Sequence, residues 1–277
     1  MLFGVARYAP LFDGRAALSI DRTSEALTPR VRAGRRVVLV SIDGLAPRFL
    51  AAVPTPALDR LVEEGLRVDG VVTVVPSITM TSHASMLSGL SPEEHDVYFN
   101  RYQPWRDLRF PTIFSACLEA KLRCGLFAGK RKFAHFAEVE PGAERYQFGE
   151  NAAEVLRQAL QYVEQRDPDF LFVHLAEVDR TGHAEGWGSD PQMRAITEID
   201  TQLGAFIDAL AELPRPLAIL VTADHGGTDT THHQDTPLNR EIPWILWGDA
   251  AGIDPSSIKT TLDTYSVVRE LLNEPRS

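Results

Sequence analysis

Three short clusters of acids and histidines, Asp43, then Asp179 with His183, then Asp224-His225 with His232, each follow closely on a hydrophobic run in this 277-residue chain. The runs, residues 37–42, 170–176 and 217–223, are short, apolar and rich in β-branched or aromatic side chains, as strands buried on both faces are. Strands that alternate with helices build a parallel sheet with helices on both faces. Ligands of such sheets gather beyond the carboxyl ends of the strands. The chain is thereby constrained to bring six residues suited to metal binding to one rim of a sheet.

The alternation begins at Arg36. After the first strand, Thr55-Pro56 supplies a helix start, Leu58, Leu61 and Val62 repeat at helical spacing, and Gly65 stops the helix. Val71-Val72-Thr73-Val74-Val75 reads as a second strand ended by Pro76. A helix from Thr79 to Leu87 follows, closed by Gly89-Leu90-Ser91-Pro92. Beyond it the pattern predicts helices at 111–121, 151–166, 191–212 and 263–273, with strands at 123–128, 170–176, 217–223 and 243–247. The expected architecture is α/β, a three-layer αβα sandwich around a mostly parallel central sheet. Residues 36–277 would form one catalytic domain, and residues 1–35, with scattered Arg and Pro and no periodicity, an irregular extension.

A hydrophobic fraction of 44% and a charged fraction of 24% are ordinary for a globular protein with a sizeable core. The net charge of -10 excludes a duplex nucleic-acid surface, which needs clustered Lys and Arg to replace phosphate counterions. It does not exclude an anionic small molecule, because bound cations invert the field locally. The lack of a long apolar run and of a leader-like segment points to a cytoplasmic protein without membrane contact. Cys117 and Cys124 form neither a metal knuckle nor a disulfide framework and read as buried free thiols.

Asp179 and His183 are four apart, on one helical turn or across a tight loop, whereas the adjacent Asp224-His225 pair needs a non-helical turn to aim at one ion. Such oxygen and nitrogen donors suit zinc, with manganese or iron as alternatives. The stretch Pro76-Ser77-Ile78-Thr79-Met80-Thr81-Ser82-His83 places several hydroxyls at a strand-to-helix junction. Together these features predict a two-metal enzyme with a hydroxyl nucleophile.

The same residues carry a resemblance. Ser41-Ile42-Asp43-Gly44, the Thr79 segment running into Ser88-Gly89-Leu90-Ser91-Pro92-Glu93-Glu94-His95, Asp179-X-X-X-His183, Thr222-Ala223-Asp224-His225-Gly226 and His232 resemble the alkaline phosphatase superfamily, most closely its type I phosphodiesterase/nucleotide pyrophosphatase branch. The resemblance implies one metal on Asp179, His183 and His232 and a second on Asp43, Thr79, Asp224 and His225. It implies Thr79 as nucleophile, forming a phosphothreonine that water later cleaves, and Asn100 as donor to a nonbridging oxygen. Gly129-Lys130-Arg131-Lys132 resembles the Lys pair with which phosphonoacetate hydrolases grip a carboxylate, making Lys130 and Lys132 substrate-binding candidates at the rim.

Departures from the pattern are equally specific. The segment between His225 and His232 is too short for the capping subdomain common in this branch; His233 adjoins His232; Ser82 replaces a frequent Asn, with Thr81 a rival to Thr79; and no Cys-X-Pro-X-Arg or Ser-X-Pro-X-Arg sulfatase motif occurs. The expected function is hydrolysis of a small-molecule phosphoric ester, with phosphonate hydrolysis, phosphomonoester hydrolysis or a catalytically silent metal-binding protein as alternatives.

Overall fold

The computed structural model describes residues 34–138, 143–250 and 252–273, all within the unit Val31–Ser277, so the expected extension over 1–35 lies almost wholly outside the described residues. Seven strands form one sheet: β1 (Arg36–Ile42), β2 (Leu66–Arg67), β3 (Cys124–Ala128), β4 (Arg145–Phe148), β5 (Phe170–Leu175), β6 (Leu217–Thr222) and β7 (Trp244–Gly248). Their order is β2-β7-β6-β1-β5-β3-β4. Only the pairings of β7 with β6 and β2 are antiparallel; the others are parallel. Every residue of β1, β3, β5 and β6 is buried, which explains their largely apolar sequences.

Helices cover both faces. Pro56–Glu64, Ala152–Arg166 and Asp190–Ala211 pack together on one face, and Thr79–Ser88, Ile113–Glu119 and Asp263–Asn273 on the other. The sandwich expected from the sequence is the architecture observed. Register carries the functional consequence. Ser41 pairs with both His174 and Thr222, and Ala128 also pairs with His174, so β1, β3, β5 and β6 end level with one another. The loops after these four strands therefore open onto a single rim.

Two expectations need correction. Residues 71–75 are not a strand; Val72 alone makes bridges, to Glu241 on one side and Thr260 on the other. The segment threads between two loops instead of joining the sheet, Val75 is exposed, and Pro76 has no N–H with which to extend a ladder. Cys117 and Cys124 are not free thiols but a disulfide with Cα atoms 6.3 Å apart. A tight reversal after the helix Ile113–Glu119, in which Leu122 N–H donates to Cys117 C=O at 2.8 Å, brings the helix end back onto the start of β3. No helix among the described residues is long and apolar enough to cross a membrane.

Candidate metal centre

Asp43 is the first residue beyond β1, and its N–H continues the sheet ladder to Leu175 C=O at 2.9 Å. Gly44 then turns the chain at φ +80°, and a Cβ there would lie 3.0 Å from Asp179 Cα. Its N–H donates to Asp224 Oδ1 at 3.1 Å, and its C=O accepts from Trp187 Nε1 at 2.9 Å. One glycine thus joins the loops after three strands. The sequence left the Asp179–His183 geometry open, and it is helical: both lie on Glu177–Glu185, with His183 Nε2 3.3 Å from Asp179 Oδ1.

The histidines share a feature with chemical content. Nδ1 of His183 faces Thr230 C=O at 2.9 Å, Nδ1 of His225 faces Gly226 C=O at 2.7 Å, and Nδ1 of His232 faces Ser77 C=O at 2.6 Å. A carbonyl only accepts, so each Nδ1 carries a proton, which leaves Nε2 as the nitrogen each ring can offer to a metal ion. His225 and His232 stack with ring centroids 3.6 Å apart. His232 is buried and His233 exposed, so His232 is the one that reaches the cluster.

The carboxylates divide their oxygens in a complementary way. Asp43 Oδ2 meets His174 Nε2 at 2.8 Å and Lys130 Nζ at 2.6 Å, Asp179 Oδ2 meets Lys130 Nζ at 2.5 Å, and Asp224 Oδ1 takes the Gly44 N–H. The other oxygens, Asp43 Oδ1, Asp179 Oδ1 and Asp224 Oδ2, are buried with no hydrogen-bond partner among the described residues, as is His225 Nε2. These four atoms converge: His225 Nε2 lies 3.4 Å from Asp43 Oδ1, 3.4 Å from Asp224 Oδ2 and 3.8 Å from Asp179 Oδ1. Buried polar atoms left unpaired are costly, and a cation is what would pair all of them. Two groups have spacing suited to an ion, Asp43 with Asp224 and His225, and Asp179 with His225 and His232. His183, expected beside Asp179 and His232, is not in the tighter set but stands next to Asp179 with its ring 5.0 Å from that of His232.

Burial opposes charge on each acid, yet the outcomes differ. At Asp43 burial is outweighed by Lys130 and His174, which hold the carboxyl well below its usual range. At Asp179 burial and the charge of Asp43 are outweighed by His183 and Lys130, and its pKa falls to about 2. At Asp224 burial, then the charge of Asp43, outweigh His225 and Lys130 and raise it to about 7. Burial, then His225, keep His232 neutral with a pKa of about 2. The side chain of Lys130 is only 17% exposed and in contact with the carboxylates of Asp43 and Asp179.

The helix Thr79–Ser88 brings Thr79 to the same rim. Ser77 Oγ donates to His232 C=O at 2.7 Å and Ser82 Oγ to Asp224 C=O at 2.7 Å, so the segment is stitched on both sides of Thr79 to ligand-bearing loops. Thr81 Oγ1 donates to Val97 C=O at 2.6 Å, whereas the Thr79 hydroxyl has no hydrogen-bond partner among the described residues. Asn100 Oδ1 accepts from Met80 N–H at 3.2 Å and from Lys132 Nζ at 2.7 Å. With two donors on its oxygen, the Asn100 amide has its NH2 left to give.

Behind these groups lies a buried layer. His83 connects Ser41 Oγ, at 2.8 Å, with Thr79 C=O, at 2.7 Å, and packs edge-on against His174 and Phe133. His95 and His135 are hydrogen-bonded inside the fold, to Ser85 Oγ and Gln103 N–H. Trp187 went unnoticed in the sequence. It rests edge-on against His183 at 5.1 Å, between Gly186 and Gly188, both at positive φ; this Gly-Trp-Gly run was the available signal.

Residues 37–113 and 127–275 match the family described as type I phosphodiesterase/nucleotide pyrophosphatase. Human ectonucleotide pyrophosphatase/phosphodiesterase family member 5 is 26% identical over 255 residues, covering 82% of this chain and 51% of the human protein. Across the first curated relatives the chain spans 55%, 27% and 51% of their lengths. The solved murine ectonucleotide pyrophosphatase/phosphodiesterase 5, an inactive threonine-to-alanine variant in complex with AMP, superposes with a TM-score of 0.64 at 18% identity, covering 88% of this chain and 96% of that one. Phosphonoacetate hydrolase from Sinorhizobium meliloti 1021, in complex with phosphonoformate, gives 0.54 at 23% identity over 70% of this chain and 57% of that one.

Proposed function

Because this chain belongs to the type I phosphodiesterase/nucleotide pyrophosphatase family, with an alkaline phosphatase-like fold, we propose that it hydrolyses a small-molecule phosphoric diester or pyrophosphate with two divalent metal ions, zinc favoured. The observation that carries this reading is the set of four buried ligand atoms on Asp43, Asp179, Asp224 and His225 that have no hydrogen-bond partner among the described residues, with Nδ1 of His183, His225 and His232 held by backbone carbonyls. Asp179, His183 and His232 would hold one ion, and Asp43, Asp224, His225 and Thr79 the other. His225 is near enough to both groups to lie between them. When bound, the ions would supply Lewis acidity and lower the pKa of a coordinated hydroxyl.

Thr79 Oγ would attack phosphorus, displacing the alcohol or phosphate leaving group and forming a phosphothreonine that water then cleaves. The threonine of the inactive murine variant supports this assignment, as does the commitment of Thr81 to Val97. The Asn100 NH2 would donate to a nonbridging oxygen, held by Met80 N–H and Lys132 on its carbonyl side. Lys132, with Lys130, would meet an anionic group on the substrate. Phosphonate hydrolysis is the second reading, favoured by these two lysines and by the phosphonoacetate hydrolase neighbour.

Residues 36–277 serve in this reading as one catalytic domain. Residence in the cytoplasm, the expectation from sequence, sits poorly with a Cys117–Cys124 bond, since disulfides persist in oxidising compartments. Two free thiols in protein from its native source would restore the cytoplasmic reading. The functional test is a turnover panel on metal-replete protein with a nitrophenyl diester, a nitrophenyl monoester and phosphonoacetate. The diester is expected to lead; a panel led by phosphonoacetate would move the assignment to the second reading.

A further inference from the structure

Lys130 is the one cation among the described residues that touches acids of both candidate metal groups, 2.6 Å from Asp43 and 2.5 Å from Asp179. Its backbone is fixed: Gly129 N–H bonds to His174 C=O at 3.0 Å, Gly129 C=O accepts from Arg180, and buried Phe133 anchors the turn Arg131–Ala134 that follows. The Lys130 ammonium sits between the carboxylates of Asp43 and Asp179, and its charge offsets part of theirs. Two divalent ions would add four positive charges beside the same carboxylates. An ammonium in contact with two ligand acids would then be repelled by both ions.

We propose that Lys130 is the built-in counter-ion of the metal-free site: its ammonium keeps Asp43 and Asp179 together until metal arrives, and metal uptake releases it towards Lys132. The inference rests on the two-metal reading given above. It distinguishes two lysines that the sequence treats alike. Lys132 bonds to Asn100 and touches no metal ligand, whereas Lys130 bonds to two. Release gives the loaded site a second ammonium beside Lys132, where it would bind an anionic group of the substrate, a carboxylate or a phosphate. A lysine serving only the substrate would leave the metal-free protein unaffected on removal. A lysine serving only the fold would lower stability without improving metal binding.

The test compares metal-stripped wild type with Lys130→Met and Lys130→Gln, and with Lys132→Met as a neighbouring control. Zinc affinity is read by competition with a chromophoric chelator, and the thermal midpoint is read without metal. Both Lys130 variants are expected to melt about 5 °C or more lower when metal-free. Both are also expected to bind zinc on the order of tenfold more tightly, because no ammonium has to be displaced. Lys132→Met is expected to give smaller changes in both readings. Zinc affinity that is unchanged or weaker in both Lys130 variants overturns this inference alone, as does an unchanged metal-free midpoint. If neither wild type nor variants take up zinc, the two-metal reading fails and this inference fails with it.

Discussion

Two threonines one residue apart show how much a single side chain's environment decides. Thr79 and Thr81 have the same chemistry and are both buried, but Thr81 has given its hydroxyl to Val97 C=O. Thr79→Ala is therefore expected to reduce turnover by at least about four powers of ten while the fold and the metal held by Asp179, His183 and His232 are kept. Thr81→Ala is expected to keep activity within a few-fold and to lose about 1 kcal/mol of stability, read by denaturant melts. The reverse pattern of rates would make Thr81 the nucleophile. Lys132 offers a pH-dependent counterpart. Burial, then the charge of Lys130, lower its pKa to about 8, so it is charged below that pH and neutral above it. KM for a substrate with an anionic tail is expected to rise as pH passes through about 8, and that for a neutral-tailed nitrophenyl diester is not. Parallel profiles for the two substrates would remove Lys132 from substrate binding.

At the scale of elements, the site depends on how the strand-end loops are joined. Gly44→Ala puts a side chain at φ +80° and a Cβ 3.0 Å from Asp179 Cα, where backbone must shift. It is expected to cost about 1–3 kcal/mol and to weaken metal binding by separating Asp43 from Asp179 and Asp224. Calorimetric zinc titration of the variant would check this, and an affinity equal to wild type would show that the loops are held elsewhere. Much of this level could be read in sequence. β1, β3, β5 and β6 are buried on both faces and announce themselves as apolar runs, and the acids at their ends follow from the parallel topology. What could not be read depends on contacts distant in sequence. β2 has two residues and exists only through β7, and β4 is a half-exposed edge. Residues 71–75 look like a strand but find loops as partners, and Lys130 reads as a substrate-binding candidate whose contacts with Asp43 and Asp179 only the fold creates. The Cys117–Cys124 bond arises from a chain reversal that seven-residue spacing does not reveal.

The whole molecule carries a net charge of -10 and concentrates buried acids at one rim, so cations should govern its behaviour. Asp224 is the acid that burial and Asp43 raise to about 7. Below that pH its carboxyl holds a proton in the metal-free protein, and a metal ion has to displace it. Apparent metal affinity is expected to fall as pH is lowered through about 7, and uptake at pH 6 to release protons from Asp224 and from His183, whose pKa Asp179 raises, visible as a buffer-dependent binding enthalpy. No buffer dependence would mean that Asp224 is already ionised in the metal-free site. The central claim, that two ions together make this rim a phosphodiesterase, is tested most directly by adding zinc in steps to metal-stripped protein and recording nitrophenyl diester hydrolysis at each step. The rate is expected to climb until about two equivalents per chain and then to level. A plateau at about one equivalent, or no hydrolysis at any zinc level, would contradict it.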